Sequence, residues 1–174
     1  WSMIFNTTDN EVNAYISEEN DSFNFEGPIN YDSDGNEELL LGTGWNDDEE
    51  TYFMNGTISE VILFDRAVND AERIIITNYL AAKYALELEN NDLYTQDDEG
   101  YRFDVAGIGR ATGNSNTQTD SQGSGIIRMS NPSNLNNNEY LFWGRNTNTD
   151  HSFETNPSNY RERINTQWKV DRVG

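Results

Sequence analysis

One helix in a chain of short β segments constrains this fold more than any other feature. Asn69 is a good N-cap residue and Glu72 follows three positions later, the pattern of a capping box. Asp70 and Glu72 also place negative charge at the positive end of the helix dipole. Ile75, Tyr79, Ala82 and Leu86 then share one face, with Ile76, Leu80 and Tyr84 beside them. That is a broad apolar stripe at helical spacing, and it has to lie against a sheet rather than stand free.

The remaining segments read as strands. Residues 1–5 and 12–16 look like two strands joined by the polar turn Thr8-Asp9-Asn10. Residues 17–37 are acidic and rich in turns, punctuated by Gly27-Pro28 and Asp34-Gly35. Leu39-Leu40-Leu41-Gly42 is a short apolar strand, and residues 43–51 form an acidic loop. Residues 52–64 resume strand character, with Gly56 at a bulge or bend and Ile58, Val61 and Leu63 expected in the core. After a polar connector at 87–100, strands are expected at 101–109, 125–130, 139–144 and 163–173, with Trp143 and Trp168 in the core. An aromatic content of 12% supports the same reading, because Tyr, Phe and Trp suit a pleated, half-buried surface. The expected fold class is all-β, mostly antiparallel, with one α-helix.

Charge divides the chain. Residues 1–92 carry 21 acidic and 3 basic residues, whereas residues 93–174 carry 10 and 8. The shift argues for two domains, 1–92 with a helix over 70–86, and 93–174. The net charge of −20 disfavours nucleic acid and anionic membrane surfaces as partners. It suits hard cations such as Ca²⁺, and equally a surface kept soluble by self-repulsion. Without cysteine there can be no disulfide, thiolate zinc site or cysteine nucleophile. No apolar run reaches the length of a membrane span, so membrane insertion is not expected. Both ends read as strand interior, so the sequence is expected to be part of a longer polypeptide whose other domains are its partners.

Asp32-Ser33-Asp34-Gly35-Asn36-Glu37-Glu38 is the best cation candidate. Asp32, Asp34, Asn36 and Glu38 could wrap oxygen ligands around calcium, although the spacing departs from an EF-hand loop and an ordinary acidic turn has the same composition. Asp47, Asp48, Glu49 and Glu50 cannot all face one ion and read as a solvated loop. Trp45, with Asn46, Asp47 and Tyr31, is a candidate glycan contact through ring stacking and side-chain hydrogen bonds. Catalysis has little to work with. His151 is the single histidine and sits in a polar loop, there is no G-x-S-x-G, and Gly107-Ile108-Gly109 lacks the following helix a dinucleotide loop requires. An enzyme active site is not expected.

Two stretches resemble a known pattern. Leu39-Leu40-Leu41-Gly42 followed by Phe53-Met54-Asn55-Gly56-Thr57-Ile58-Ser59-Glu60-Val61-Ile62-Leu63-Phe64-Asp65-Arg66 resembles the closing part of a laminin-G-like, concanavalin A-type jelly roll, with Val68 where that family has Leu. The helix ending Tyr79-Leu80-Ala81-Ala82-Lys83-Tyr84 resembles the longer version found in large surface proteins of Bacteroidota. Asp104-Val105-Ala106-Gly107-Ile108-Gly109-Arg110, Leu141-Phe142-Trp143-Gly144 and Trp168-Lys169-Val170 are similar to a β-domain that follows this jelly roll. The resemblance implies a partial jelly-roll sandwich closed by the helix, then a second small β-sandwich-like domain. It implies a non-catalytic adhesion or recognition module of a secreted bacterial surface protein, exported by the type IX route, often calcium-stabilised, with glycans or surface proteins as partners. The alternatives are a carbohydrate-binding accessory domain of a polysaccharide-degrading enzyme, or a structural spacer.

Overall fold

The computed structural model of the chain describes residues 2–6, 11–16, 19–24, 41–46, 49–51, 53–113, 115–149, 153–156 and 161–174. These residues are mostly antiparallel β-sheet with one helix. In chain order they are β1 (Ser2–Asn6), β2 (Glu11–Ile16), β3 (Glu19–Asn24), β4 (Gly44–Asn46), β5 (Glu49–Thr51) and α1 (Asp70–Tyr84). Then follow β6 (Phe103–Arg110), β7 (Thr117–Gln118), β8 (Asp120–Ser121), β9 (Met129–Ser130), β10 (Glu139–Arg145), β11 (Phe153–Asn156), β12 (Arg161–Ile164) and β13 (Trp168–Val173). The chain divides into two compact units. One comprises Trp1–Ser2, Ala14–Asn20 and Val68–Gly174, the other Met3–Asn13 and Asp21–Ala67.

The larger unit is built on a four-stranded antiparallel sheet in the order β13-β10-β6-β7. β10 pairs along its length with β13, from Tyr140 opposite Val173 to Arg145 opposite Trp168. On its other edge it pairs with β6, from Glu139 opposite Arg110 to Trp143 opposite Ala106. Strand residues alternate between faces, so Tyr140 and Phe142 join Val105 on one face while Leu141 and Trp143 join Ala106 and Ile108 on the other. The first face is covered by α1 and Tyr94, the second by Ile127, Met129 and Trp168. Coverage on both faces explains why Tyr140-Leu141-Phe142-Trp143 is apolar without a break.

The helix forms as its cap predicts. The Asn69 side chain accepts from Glu72 N at 3.1 Å, and Glu72 Oε2 accepts from Asn69 N at 2.9 Å. Such a cap is worth about 1 kcal/mol. Asn69 Nδ2 also donates to Thr117 O at 3.2 Å, which ties the helix start to β7. The helix stops at Tyr84 because Ala85 turns left-handed (φ 52°) and donates back to Ala81 O.

The buried face differs from the expected stripe. Ile75 and Ala82 belong to it, but Ala71, Ile74, Asn78 and Ala81 complete it, and Leu86 is 57% exposed beyond the cap. A small, partly polar face is favoured because the helix approaches β6 closely at Gly107, where an added Cβ would stand 3.4 Å from Ile75. The helix packs within the Val68–Gly174 unit.

β1, β2 and β3 form a three-stranded sheet, and β4 and β5 form a hairpin where a loop was expected. Leu41 and Gly42 lie in a bend, not a strand. The strand expected over 52–64 does not form across its described residues, 53–64. Ile58, Val61 and Leu63, expected in the core, are exposed, as are Phe53, Met54, Ile62 and Phe64. Met54 N donates to Gly42 O at 2.7 Å, but among the described residues no ladder extends that contact into a strand.

Later strands also depart from expectation. Residues 125–130 keep only Met129 and Ser130 in a strand, and 163–173 divides between β12 and β13 around residues 165–167. Among the described residues, no helix is long and apolar enough to cross a membrane.

Candidate functional site

The most distinctive local structure in the larger unit is a β-bulge. Trp143 lies opposite Ala106 and Arg145 lies opposite Phe103, so Asp104 and Val105 together face Gly144. Bulges of this kind re-aim a side chain and recur beside binding and catalytic sites. The bulged residue, Asp104, has a left-handed backbone (φ 51°) that glycine would adopt without strain. For an L-residue that conformation costs about 1–2 kcal/mol. Asp is among the residues that tolerate it, and the side chain explains why glycine is not used.

The bulge aims the Asp104 carboxylate at Arg145. Arg145 Nε donates to Asp104 Oδ2 in an ion pair largely removed from solvent, and Ser124 Oγ donates to Asp104 Oδ1. Arg145 Nη1 donates to Thr149 O at 2.6 Å. The guanidinium, on a residue only 8% exposed, is thus held in one orientation from two sides. Gly144 makes room for this arrangement. A Cβ there would meet the Tyr94 hydroxyl and stand 2.6 Å from Tyr101 O.

Around this pair opens a cleft of about 270 Å³. Helix α1 lines it with Tyr79 and Lys83, the entry to β6 with Arg102 and Phe103, and the bulge with Asp104 and Arg145. Lys83 Nζ donates to the Tyr79 hydroxyl at 2.9 Å and lies 5.3 Å from the ring centroid, a cation–π contact. Arg102 Nη2 donates to Asp97 O at 3.4 Å. Asp97 itself has its pKa raised, first by burial and then by neighbouring Asp98, with its backbone hydrogen bonds and Arg102 opposing. The cleft therefore offers cationic N–H donors and two aromatic side chains to a small ligand. Tyr94, which donates its hydroxyl to Tyr101 O, has its pKa pushed well above the usual range, mainly by burial.

Asp32, Asp34, Asn36, Glu38, Tyr31, Asp47 and His151 lie outside the described residues. Trp45 and Asn46 stand on β4, opposite Glu50 and Glu49 respectively. Among the described residues no group of three or more His, Asp or Glu is placed to hold a metal ion. Reasoning from the sequence missed the cleft. Its one available signal was Lys83, the single lysine in the acidic first 92 residues.

Residues 72–174 match the family described as Domain of unknown function (DUF8202), and the chain belongs to that family. The match takes in most of α1 and every strand from β6 to β13, and so all the residues that form the cleft. No curated protein and no solved structure matches the chain.

Proposed function

We propose that this chain is a non-catalytic recognition module of a large bacterial surface protein, binding a glycan or a glycan-bearing surface. The observation that carries the reading is the cleft at the β6–β10 bulge. A concave site with aromatic walls and a few fixed polar donors is the usual form of a small-ligand site. A buried arginine oriented by a strained aspartate supports binding, because fixing a donor before the ligand arrives lowers the entropy lost on association. The laminin-G-like jelly roll, calcium stabilisation and export to the cell surface belong to the same proposal and rest on the sequence resemblance.

A glycan array tests the binding. The chain is expected to retain a restricted set of glycans, and Trp45→Ala is expected to weaken part of that set by the roughly 2 kcal/mol of a lost aromatic anchor. Retention of no glycan at all would overturn the reading. Unchanged binding by the variant would exclude Trp45 as a second contact and leave the binding to the cleft.

Calcium is tested by thermal melts with added calcium and with chelator. An ion bound through Asp32, Asp34, Asn36 and Glu38 stabilises the folded state by about 2.7 kcal/mol when present at a hundredfold excess over its Kd. Identical midpoints in the two conditions would rule it out.

A further inference from the structure

Building on the recognition reading above, we infer that the cleft at the bulge binds the carboxylate of an acidic sugar, a uronic-acid residue. The chain has 31 acidic and 11 basic residues, yet Lys83, Arg102 and Arg145 line this one small cleft. The acidic residue among its walls is Asp104, and that carboxylate is already engaged by Arg145 and Ser124. Three cationic side chains against one carboxylate that is already paired leave the cleft cationic.

The donors suit a carboxylate in particular. A guanidinium N–H makes a charge-assisted hydrogen bond to a carboxylate, and it is most effective where its orientation is fixed beforehand. Asp104 and Thr149 use Nε and Nη1 of Arg145, and Nη2 has no acceptor among the described residues. Lys83 and Arg102 add charge at the rim. The half-buried rings of Tyr79 and Phe103 provide apolar surface for the C–H face of a pyranose.

Size and charge narrow the ligand further. The 270 Å³ cleft lies just below the range of about 300–1,000 Å³ typical of drug-sized ligands, which fits one sugar ring rather than an oligosaccharide. The walls set Lys83, Arg102 and Arg145 against the single carboxylate of Asp104, a charge excess suited to one small anion. At physiological ionic strength charges beyond about 8 Å are largely screened, so a single carboxylate at the pocket floor meets mainly the local cations. A terminal uronic acid satisfies both conditions.

The test is calorimetric titration of the full chain with methyl glucuronide and with methyl glucoside, which differ only in carboxylate against hydroxymethyl. The glucuronide is expected to bind at least about tenfold more tightly, the scale of one charge-assisted hydrogen bond over a neutral one. Lys83→Met and Arg102→Met, at exposed and half-exposed positions, are each expected to weaken the glucuronide several-fold while circular dichroism and the melting midpoint stay unchanged. Added salt should weaken it as well.

Equal binding of glucuronide and glucoside would overturn the acidic-sugar inference and leave the recognition reading in place. So would array-detected glycan binding that both variants retain in full. Acetate competing as tightly as the glucuronide would reduce the site to a plain anion pocket and overturn the sugar assignment. Binding of neither sugar here, with an empty array, would remove both readings.

Discussion

Asn78→Ala is expected to destabilise the protein by about 4 kcal/mol, beyond the usual range for a single substitution. Asn78 is 2% exposed and stands at the centre of the buried face of α1. Its Nδ2 donates to Ile74 O at 2.9 Å and to Asn91 O at 2.8 Å. Its Oδ1 accepts from Leu93 N at 2.8 Å and from Tyr94 N at 2.9 Å. One amide thus supplies the main-chain hydrogen bonds of the segment that returns from the helix to the sheet. Truncation leaves one buried and one part-buried N–H group and the Asn91 carbonyl without these partners, at about 1–3 kcal/mol for each group that stays dry. The damage should spread toward the cleft, because Tyr94 donates its hydroxyl to Tyr101 O, one residue before Arg102.

Asn78→Asp separates hydrogen bonding from packing. It keeps the shape and the acceptor but turns the donor into a second oxygen facing two carbonyls. At neutral pH the loss should match or exceed that of the alanine variant. Burial raises a carboxyl's pKa above its unfolded value near 4, so the folded state of this variant takes up a proton first. Relative to wild type, its deficit should therefore shrink as pH falls toward that value and grow as pH rises through the folded pKa. Urea denaturation of the three proteins at several pH values measures this. A deficit under 1 kcal/mol in the alanine variant would show that water or a relaxed loop replaces the amide.

The helix and the two central strands of the larger unit were legible because their signals are local. The capping box of Asn69 and Glu72 acts within one turn, and the runs that became β6 and β10 carry their own β propensity. The cleft was not legible because it is made by pairing across sequence. Asp104 and Arg145 are 41 residues apart, and the bulge that joins them is marked by an aspartate where glycine would have been a recognisable sign. Asn78 was invisible for a related reason. A polar residue breaks an apolar stripe, so the periodic pattern was read one column aside, through Tyr79 and Leu86. The reverse failure is residues 53–64, where a good strand pattern is present but no ladder forms among the described residues and the large apolar side chains stay exposed. Pattern states a capacity for burial, and only a partner realises it.

Gly109→Ala is expected to cost about 3 kcal/mol, although alanine is ordinarily the better strand residue. Gly107 and Gly109 occupy alternate positions on the helix-facing side of β6, directly opposite Phe142 and Tyr140 in the ladder. The two rings lie over these glycines, stacked with centroids 6.0 Å apart at 15°. A Cβ on Gly109 would clash with Tyr140 Cδ1, whereas one on Gly107 would stand 2.9 Å from Phe142 Cδ1. Tyr140 has little freedom to retreat. It is 3% exposed, and its buried hydroxyl, without a hydrogen-bond partner among the described residues, has its pKa pushed up to about 12 by burial and by nearby Asp70. The glycines that a sequence reader tests for a nucleotide loop thus serve as sockets for cross-strand aromatic rings. A double-mutant cycle isolates that role, because the clash needs both partners. In a Tyr140→Ala background, Gly109→Ala should cost no more than about 0.5 kcal/mol, near the additivity limit for independent sites. The same 3 kcal/mol loss in both backgrounds would mean that backbone conformation at 109, not the ring, demands glycine.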